Sequence, residues 1–313
     1  MYELIRGMTM LDVLIKSSGF VFIIILGFIL KKVGFFKKED GLFFSKVVMN
    51  ITLPAALIAN SSGMEINMIT ISIILIGLCC GFFNIFLAKY VNRRQSPTTR
   101  ALSMINCSGY NIGNFAIPFA ASFFDATGMI YMCMFDIGNA FMGLGGTYAL
   151  ARNEVDGRGR LDIKNLCLVL VKSIPFDVYL LLFILSLFNL TIPAPVTTIA
   201  SMIGGANSFL AMLMIGIILE IKISRSQAKA VVKILGVRYV GNILLSIVVF
   251  FILPLPLLAK QMVTLILFCP ISTVSAVYSK MIDNDDPAPA LANSISILVS
   301  IATMTALLLI FVG

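Results

Sequence analysis

Ser17–Leu30 opens a series of apolar runs that follow one another to the carboxyl end, separated by short charged or turn-rich breaks. About twenty consecutive apolar residues are enough for a helix to cross a bilayer. Ten such runs are read, at 16–36, 42–61, 68–90, 99–124, 128–150, 164–188, 195–220, 230–253, 257–280 and 288–312. They are continuous and lack the alternation of a membrane barrel. The chain of 313 residues is 59% hydrophobic and 12% charged, with a mean hydropathy of +1.01. A soluble domain of this size has too little interior to hide that much apolar side chain. The expected class is an all-α polytopic membrane protein. The first run ends in Lys31 and Lys32 without a small-residue cleavage site, so it reads as a retained helix and not a removed leader.

The longest hydrophilic break, Ala151–Ile163, divides the spans into five and five. This suggests two units, 1–155 and 156–313. Seventeen basic residues fall in the breaks after spans 1, 3, 5, 7 and 9, among them Lys31, Lys32, Arg93, Arg94, Arg152, Arg158, Arg160, Lys222 and Lys280. Three fall on the other side: Arg6, Lys16 and Lys260. The positive-inside rule puts the seventeen in the cytoplasm and both termini outside. The net charge of +8 is this asymmetry and gives no support for nucleic-acid binding. An odd number of spans per half makes the halves inverted repeats if they are repeats at all.

Spans 4 and 9 then correspond, and each contains a mid-span proline. Ser103–Asp125 carries Asn106, Gly109, Asn111, Gly113, Asn114 and Pro118; Met262–Met281 carries Pro270, Ser272, Thr273 and Ser275. A helix interrupted at membrane depth is tolerated only where its freed backbone groups face protein or a wet cavity. Interrupted helices in equivalent positions of two halves point to a transporter's binding site. Pro118 lacks a donor and frees the carbonyl of Asn114, so a half-helix is expected to start near it. Its amino end would attract an anion, with Pro270, Ser272 and Thr273 doing the same from the opposite direction. The plainer alternative is an ordinary proline kink.

Asp136 lies in span 5 with Asn139 one turn along, and Asp177 lies in span 6. A carboxylate at mid-membrane costs about 2.5–3.5 kcal/mol, so it needs a partner or a task. Asp136 and Asn139 are proton- or sodium-coupling candidates, with a structural hydrogen bond as the alternative. Asp177 is expected to pair with Lys172 or to snorkel. Ser296 and Ser300 in span 10, near Asn293 and Thr303, either line the cavity or bond between helices. Asn207 and Ser208 are weaker cavity candidates. Gly143, Gly145, Gly146, Gly204 and Gly205 read as close-packing positions. Lys172, Arg238 and Glu220 read as snorkelling at span ends. Six cysteines inside apolar runs read as packing residues, and with no His no metal-ligand spacing is present.

Asn111-Ile-Gly113-Asn-Phe-Ala116-Ile-Pro118 resembles the Asn-x-Gly-x-x-Gly-x-Pro stretch of the auxin efflux carrier family, with Ala116 in place of the second Gly. That family includes plant auxin carriers and bacterial malonate and malate permeases. Phe135-Asp136-Ile-Gly138-Asn139, Leu53-Pro54-Ala55, Ile192-Pro193-Ala194-Pro195, Cys269-Pro270 and Ser296 to Ser300 follow in family order, while Ser208 stands where Pro is expected. The resemblance implies a ten-helix inverted-repeat fold like that of bile-acid symporters and sodium/proton antiporters. Helices 4 and 9 would cross at their breaks and bind a small carboxylate. By position it points to Asn111, Gly113, Pro118 and Pro270 as the crossing. The expected activity is secondary transport of an organic anion across a plasma membrane, a bacterial inner membrane, driven by the membrane potential or a proton or sodium gradient. No cofactor is expected, and a homodimer is compatible with this reading. A cation/proton antiporter of the same fold is the alternative, disfavoured because spans 4 and 9 hold no acidic pair. An intramembrane hydrolase lacks its motifs, and no P-loop suggests ATP coupling.

Overall fold

The computed structural model describes residues 8–60, 67–157, 159, 164, 173–188, 190–220 and 225–313. Lys172, Cys167, Arg158, Arg160, Lys222 and Arg6, which the sequence reading used, lie outside them. Every regular element among the described residues is a helix, and no strand occurs among them. The helices are α1 (Met10–Lys32), α2 (Lys38–Val47), α3 (Leu53–Ala59), α4 (Met68–Val91), α5 (Pro97–Ser108), α6 (Ile117–Ala120), α7 (Ala126–Phe141) and α8 (Thr147–Asp156). They continue as α9 (Ile174–Leu187), α10 (Ala194–Gly204), α11 (Asn207–Ile218), α12 (Arg225–Ile247), α13 (Leu257–Leu267), α14 (Thr273–Ile282) and α15 (Ala288–Val312). Among the described residues, six segments are long and apolar enough to cross a membrane: Met10–Lys32, Lys38–Ala59, Met68–Val91, Ala194–Ile218, Gln227–Ile252 and Ala288–Val312. The chain is a multi-pass membrane protein.

Local sequence chemistry sets several helix starts. Thr9 and Asp12 form a reciprocal capping box on α1, Asn67 caps α4, and the Asp125 carboxylate accepts from the Gly128 N–H at the start of α7. Two prolines inside helical stretches are absorbed by a preceding π turn: Val48–Thr52 before Pro54, and Ile112–Ala116 before Pro118. The wider turn relieves the clash and the missing donor that a proline brings to an α-helix.

Helices touch backbone to backbone where glycine allows it. A Cβ on Gly27 would lie 2.4 Å from the Leu213 carbonyl, and one on Gly216 would lie 2.1 Å from that of Ile24, which locks α1 to α11. Gly77 and Gly138 do the same between α4 and α7, and Gly204 packs on the backbone of Ala56. Of the glycines expected to pack closely, Gly204 does so. Gly143, Gly145 and Gly146 instead form a π-helical kink between α7 and α8, with Gly145 at φ 132° and open space beside Gly143. Their clustering serves a bend.

Candidate functional site: the crossing of two broken helices

The two interrupted segments meet. α5 ends at Ser108, and helical geometry resumes at Ile112; α13 ends at Leu267, and α14 resumes at Thr273. Tyr110 and Ile271 form an antiparallel bridge between the breaks. The Asn111 N–H donates to the Pro270 carbonyl at 3.0 Å, and the Ser272 N–H donates to that of Gly109 at 3.3 Å. Each break thus supplies backbone partners that the other lost on leaving the helix. Gly109 eases this approach, because a Cβ there would lie a tight 3.0 Å from the Ser272 Cβ.

Neighbouring helices clasp each break. Asn139 of α7 accepts from the Tyr110 N–H and donates to the Tyr110 carbonyl, both at 3.3 Å. Its amide also donates to Asp136 Oδ1 at 3.2 Å. On the other side, Asn293 of α15 donates to the carbonyls of Ile271 and Ser272 at 3.2 and 3.0 Å, and Ser296 Oγ accepts from the Ile271 N–H at 3.0 Å.

Arg238 of α12 is the electrostatic centre. Its guanidinium is 0% exposed and donates to five carbonyls. Those of Asn106, Cys107 and Gly109 belong to the end of α5; those of Cys269 and Pro270 follow α13. The carboxyl end of a helix carries partial negative charge. Arg238 therefore offsets two such ends at once, in place of a carboxylate partner, and stacks on the Tyr110 ring at 4.8 Å. Tyr110 is held in turn by Asn84 and Asn242, whose amides and the tyrosine hydroxyl lie 2.8–2.9 Å apart in a buried triad. The expectation that Arg238 snorkels is overturned: two helix ends attract it inward more strongly than the interface attracts it outward. Glu220, by contrast, is exposed and pairs with Lys38 at 2.7 Å.

Beside the crossing lies a chamber of about 140 Å³. Asn111, Gly113, Asn114, Asp136, Asn139, Ser272 and Thr273 all line it, so it gathers seven of the residues singled out from sequence. The first residues of both resumed helices face it. Asn111 Nδ2 and Asn114 Oδ1 are buried there without a hydrogen-bond partner. Pro270 lies at the crossing, where its carbonyl is engaged. Pro118 does not mark the break; it sits in α6, and its carbonyl accepts from Ser208 Oγ at 2.7 Å. Ser296 and Ser300 are fully buried outside the chamber. Asp177 is exposed in the first turn of α9. A second cavity of about 380 Å³ is lined by residues of α3, α6, α7, α9, α10 and α11, including Asn207, Ser208 and Cys133.

Sequence reading missed Arg238, Tyr110, Asn84, Asn242 and Tyr179. One signal was available. Arg238 and Asn242 are four residues apart within an apolar run and share a helix face, as Asp136 and Asn139 do at three.

Residues 15–157 match the family model described as Membrane transport protein, so this stretch carries the auxin efflux carrier family domain. Proteins of this family are transporters and not enzymes. A comparison with curated proteins found no match. The matched stretch includes the first break, Asp136 and Asn139; Arg238 and the second break lie beyond it.

Proposed function

We propose that the protein is a secondary active transporter that carries a small organic anion across the plasma membrane by alternating access. In this reading ten spans form two inverted five-helix repeats, 1–155 and 156–313, with the substrate held where helices 4 and 9 cross. The observation that carries the proposal is the chamber at the crossing, lined by two helix amino ends and by Asn111 and Asn114, each with one buried amide atom lacking a partner. The paired clasps support the repeat: Asn139 of span 5 holds the break of span 4, and Asn293 and Ser296 of span 10 hold that of span 9. Anion preference draws on the amino ends and on the fixed charge of Arg238 behind Tyr110.

Asp136 supplies the coupling. A chamber of about 140 Å³ brings a bound carboxylate close to the Asp136 side chain. Like charges so close disfavour double ionisation. A proton therefore enters with the anion, and protonated Asp136 becomes a donor to it. This makes the protein a proton symporter. The cation/proton antiporter alternative rests on Asp136 alone, since no second acidic residue lines the chamber among the described residues.

A thermal-shift screen of purified protein against mono- and dicarboxylates, with and without sodium, tests the reading. Ligand at a hundred times its Kd stabilises by about 2.7 kcal/mol. Asn111→Ala is expected to abolish the carboxylate-dependent shift and leave the unliganded melting temperature unchanged, because the side-chain Nδ2 has no partner to lose. A full shift in the variant would move the site elsewhere.

A further inference from the structure

Three helical segments each line both cavities, one after the other along their length. On α7, Met129, Ile130 and Cys133 face the larger cavity, whereas Asp136, Ile137 and Ala140 face the chamber. The segment around α6 makes the change between Asn114 and Ile117, and α9 makes it between Phe176 and Leu182. Among the described residues, Tyr179 alone lines both spaces. It is buried, at 3% exposed, with both cavities against it. Its hydroxyl donates to Asp136 Oδ2 at 3.4 Å. The same carboxylate accepts from Asn139, which holds both backbone groups of Tyr110 in the first break. The ring is thereby connected through two side chains to the crossing itself.

We infer that Tyr179 is the movable partition between the larger cavity and the crossing chamber, with Asp136 as its latch. On the transport reading given above, a solute passes only when the ring turns away from Asp136. A donor on the solute, or a proton on the carboxylate, competes for the oxygen that Tyr179 holds and so frees the ring when the chamber is filled. Tyr179 is a positioning residue in this scheme: it governs access and makes no claim on the anion.

Site-specific thiol labelling tests the inference without any carboxylate present. Ala140→Cys places a reporter thiol in the chamber, and Ser201→Cys on α10 places one in the larger cavity away from Tyr179. A membrane-impermeant methanethiosulfonate is applied to sealed vesicles of each orientation, and modification of each cysteine is followed by peptide mass spectrometry. A closed gate whose open state is populated at 10% or less predicts that Tyr179→Ala speeds labelling of the chamber reporter by about tenfold or more. The gain is expected only from the face onto which the larger cavity opens, with labelling from the opposite face and at the Ser201→Cys reporter unchanged. Tyr179→Phe keeps the ring, loses the latch and is expected to fall between parent and Ala; it also serves if Tyr179→Ala fails to assemble. A chamber-reporter rate unchanged in both variants, or raised equally from both faces, overturns the inference. Because no carboxylate is used, a failed ligand screen leaves this result standing, and a positive screen with unaltered labelling removes the gate alone.

Discussion

Arg238→Met is expected to lower the melting temperature of the detergent-purified protein by about 10 °C, or to prevent its assembly. The guanidinium serves five carbonyls at the ends of two helices, in a place where it is 0% exposed. Hydrogen bonds to charged groups contribute about 1.5–3 kcal/mol, and removing one partner of a buried charged cluster costs about 3–5 kcal/mol. At about 2–4 °C per kcal/mol, that range brackets the expected fall. Arg238→Lys is expected to recover part of the loss, since an ammonium supplies the charge but cannot fork between the two chains. Fluorescence-detected melting of the parent and both variants makes the comparison. A Met variant that melts with the parent would mean that the crossing holds itself together without Arg238.

The second large effect is expected at Gly138. A Cβ there would lie 2.1 Å from the Ile74 carbonyl and 2.8 Å from the Leu78 nitrogen, both backbone atoms that cannot step aside. Gly138→Ala must separate α4 from α7. Overpacking of this kind costs about 1–3 kcal/mol, occasionally more. Asn139 is the next residue, so the separation also pulls on its clasp of Tyr110. Loss of the carboxylate-dependent melting shift is expected together with the loss of stability. Gly236→Ala is the control: nothing lies within 4 Å of the added carbon, and the glycine is in the body of α12. That change is expected to be neutral or to stabilise by about 1 kcal/mol, the usual helical preference for alanine. Equal melting temperatures for Gly138→Ala and Gly236→Ala would show that the α4–α7 contact yields easily.

The membrane class, the interrupted segments and most of the chamber were legible in the sequence. Polar and small residues in apolar runs have few explanations other than a shared interior, and seven of them line one space. Where each helix breaks was harder. Pro118 looked like the breaker, but the π turn at Ile112–Ala116 takes up its defect, and the break falls at Gly109–Asn111, where a second chain segment must come close. Such a contact is a property of two segments together and leaves no mark in either alone. Arg238 was misplaced for a related reason. Its stabilisation comes from the ends of two other helices, and a reading of its own span offers only the nearest interface. Tyr179 carries no signal in sequence at all, because its position between two cavities exists only once three helices are assembled.

The glycine contacts sort the helices into blocks. Gly27 and Gly216 fuse α1 to α11, and Gly204 joins α10 to α3; Gly77 and Gly138 fuse α4 to α7. Main chains in direct contact leave no room for sliding. Between α1 and the segment around α6, rings meet instead, as Phe20 does with Phe119 and Phe123 at centroid separations of 5.3 and 6.2 Å. Aromatic surfaces can slip past one another while staying packed. The molecule thus has welded joints and greased ones, and any rocking between its parts is confined to the greased set.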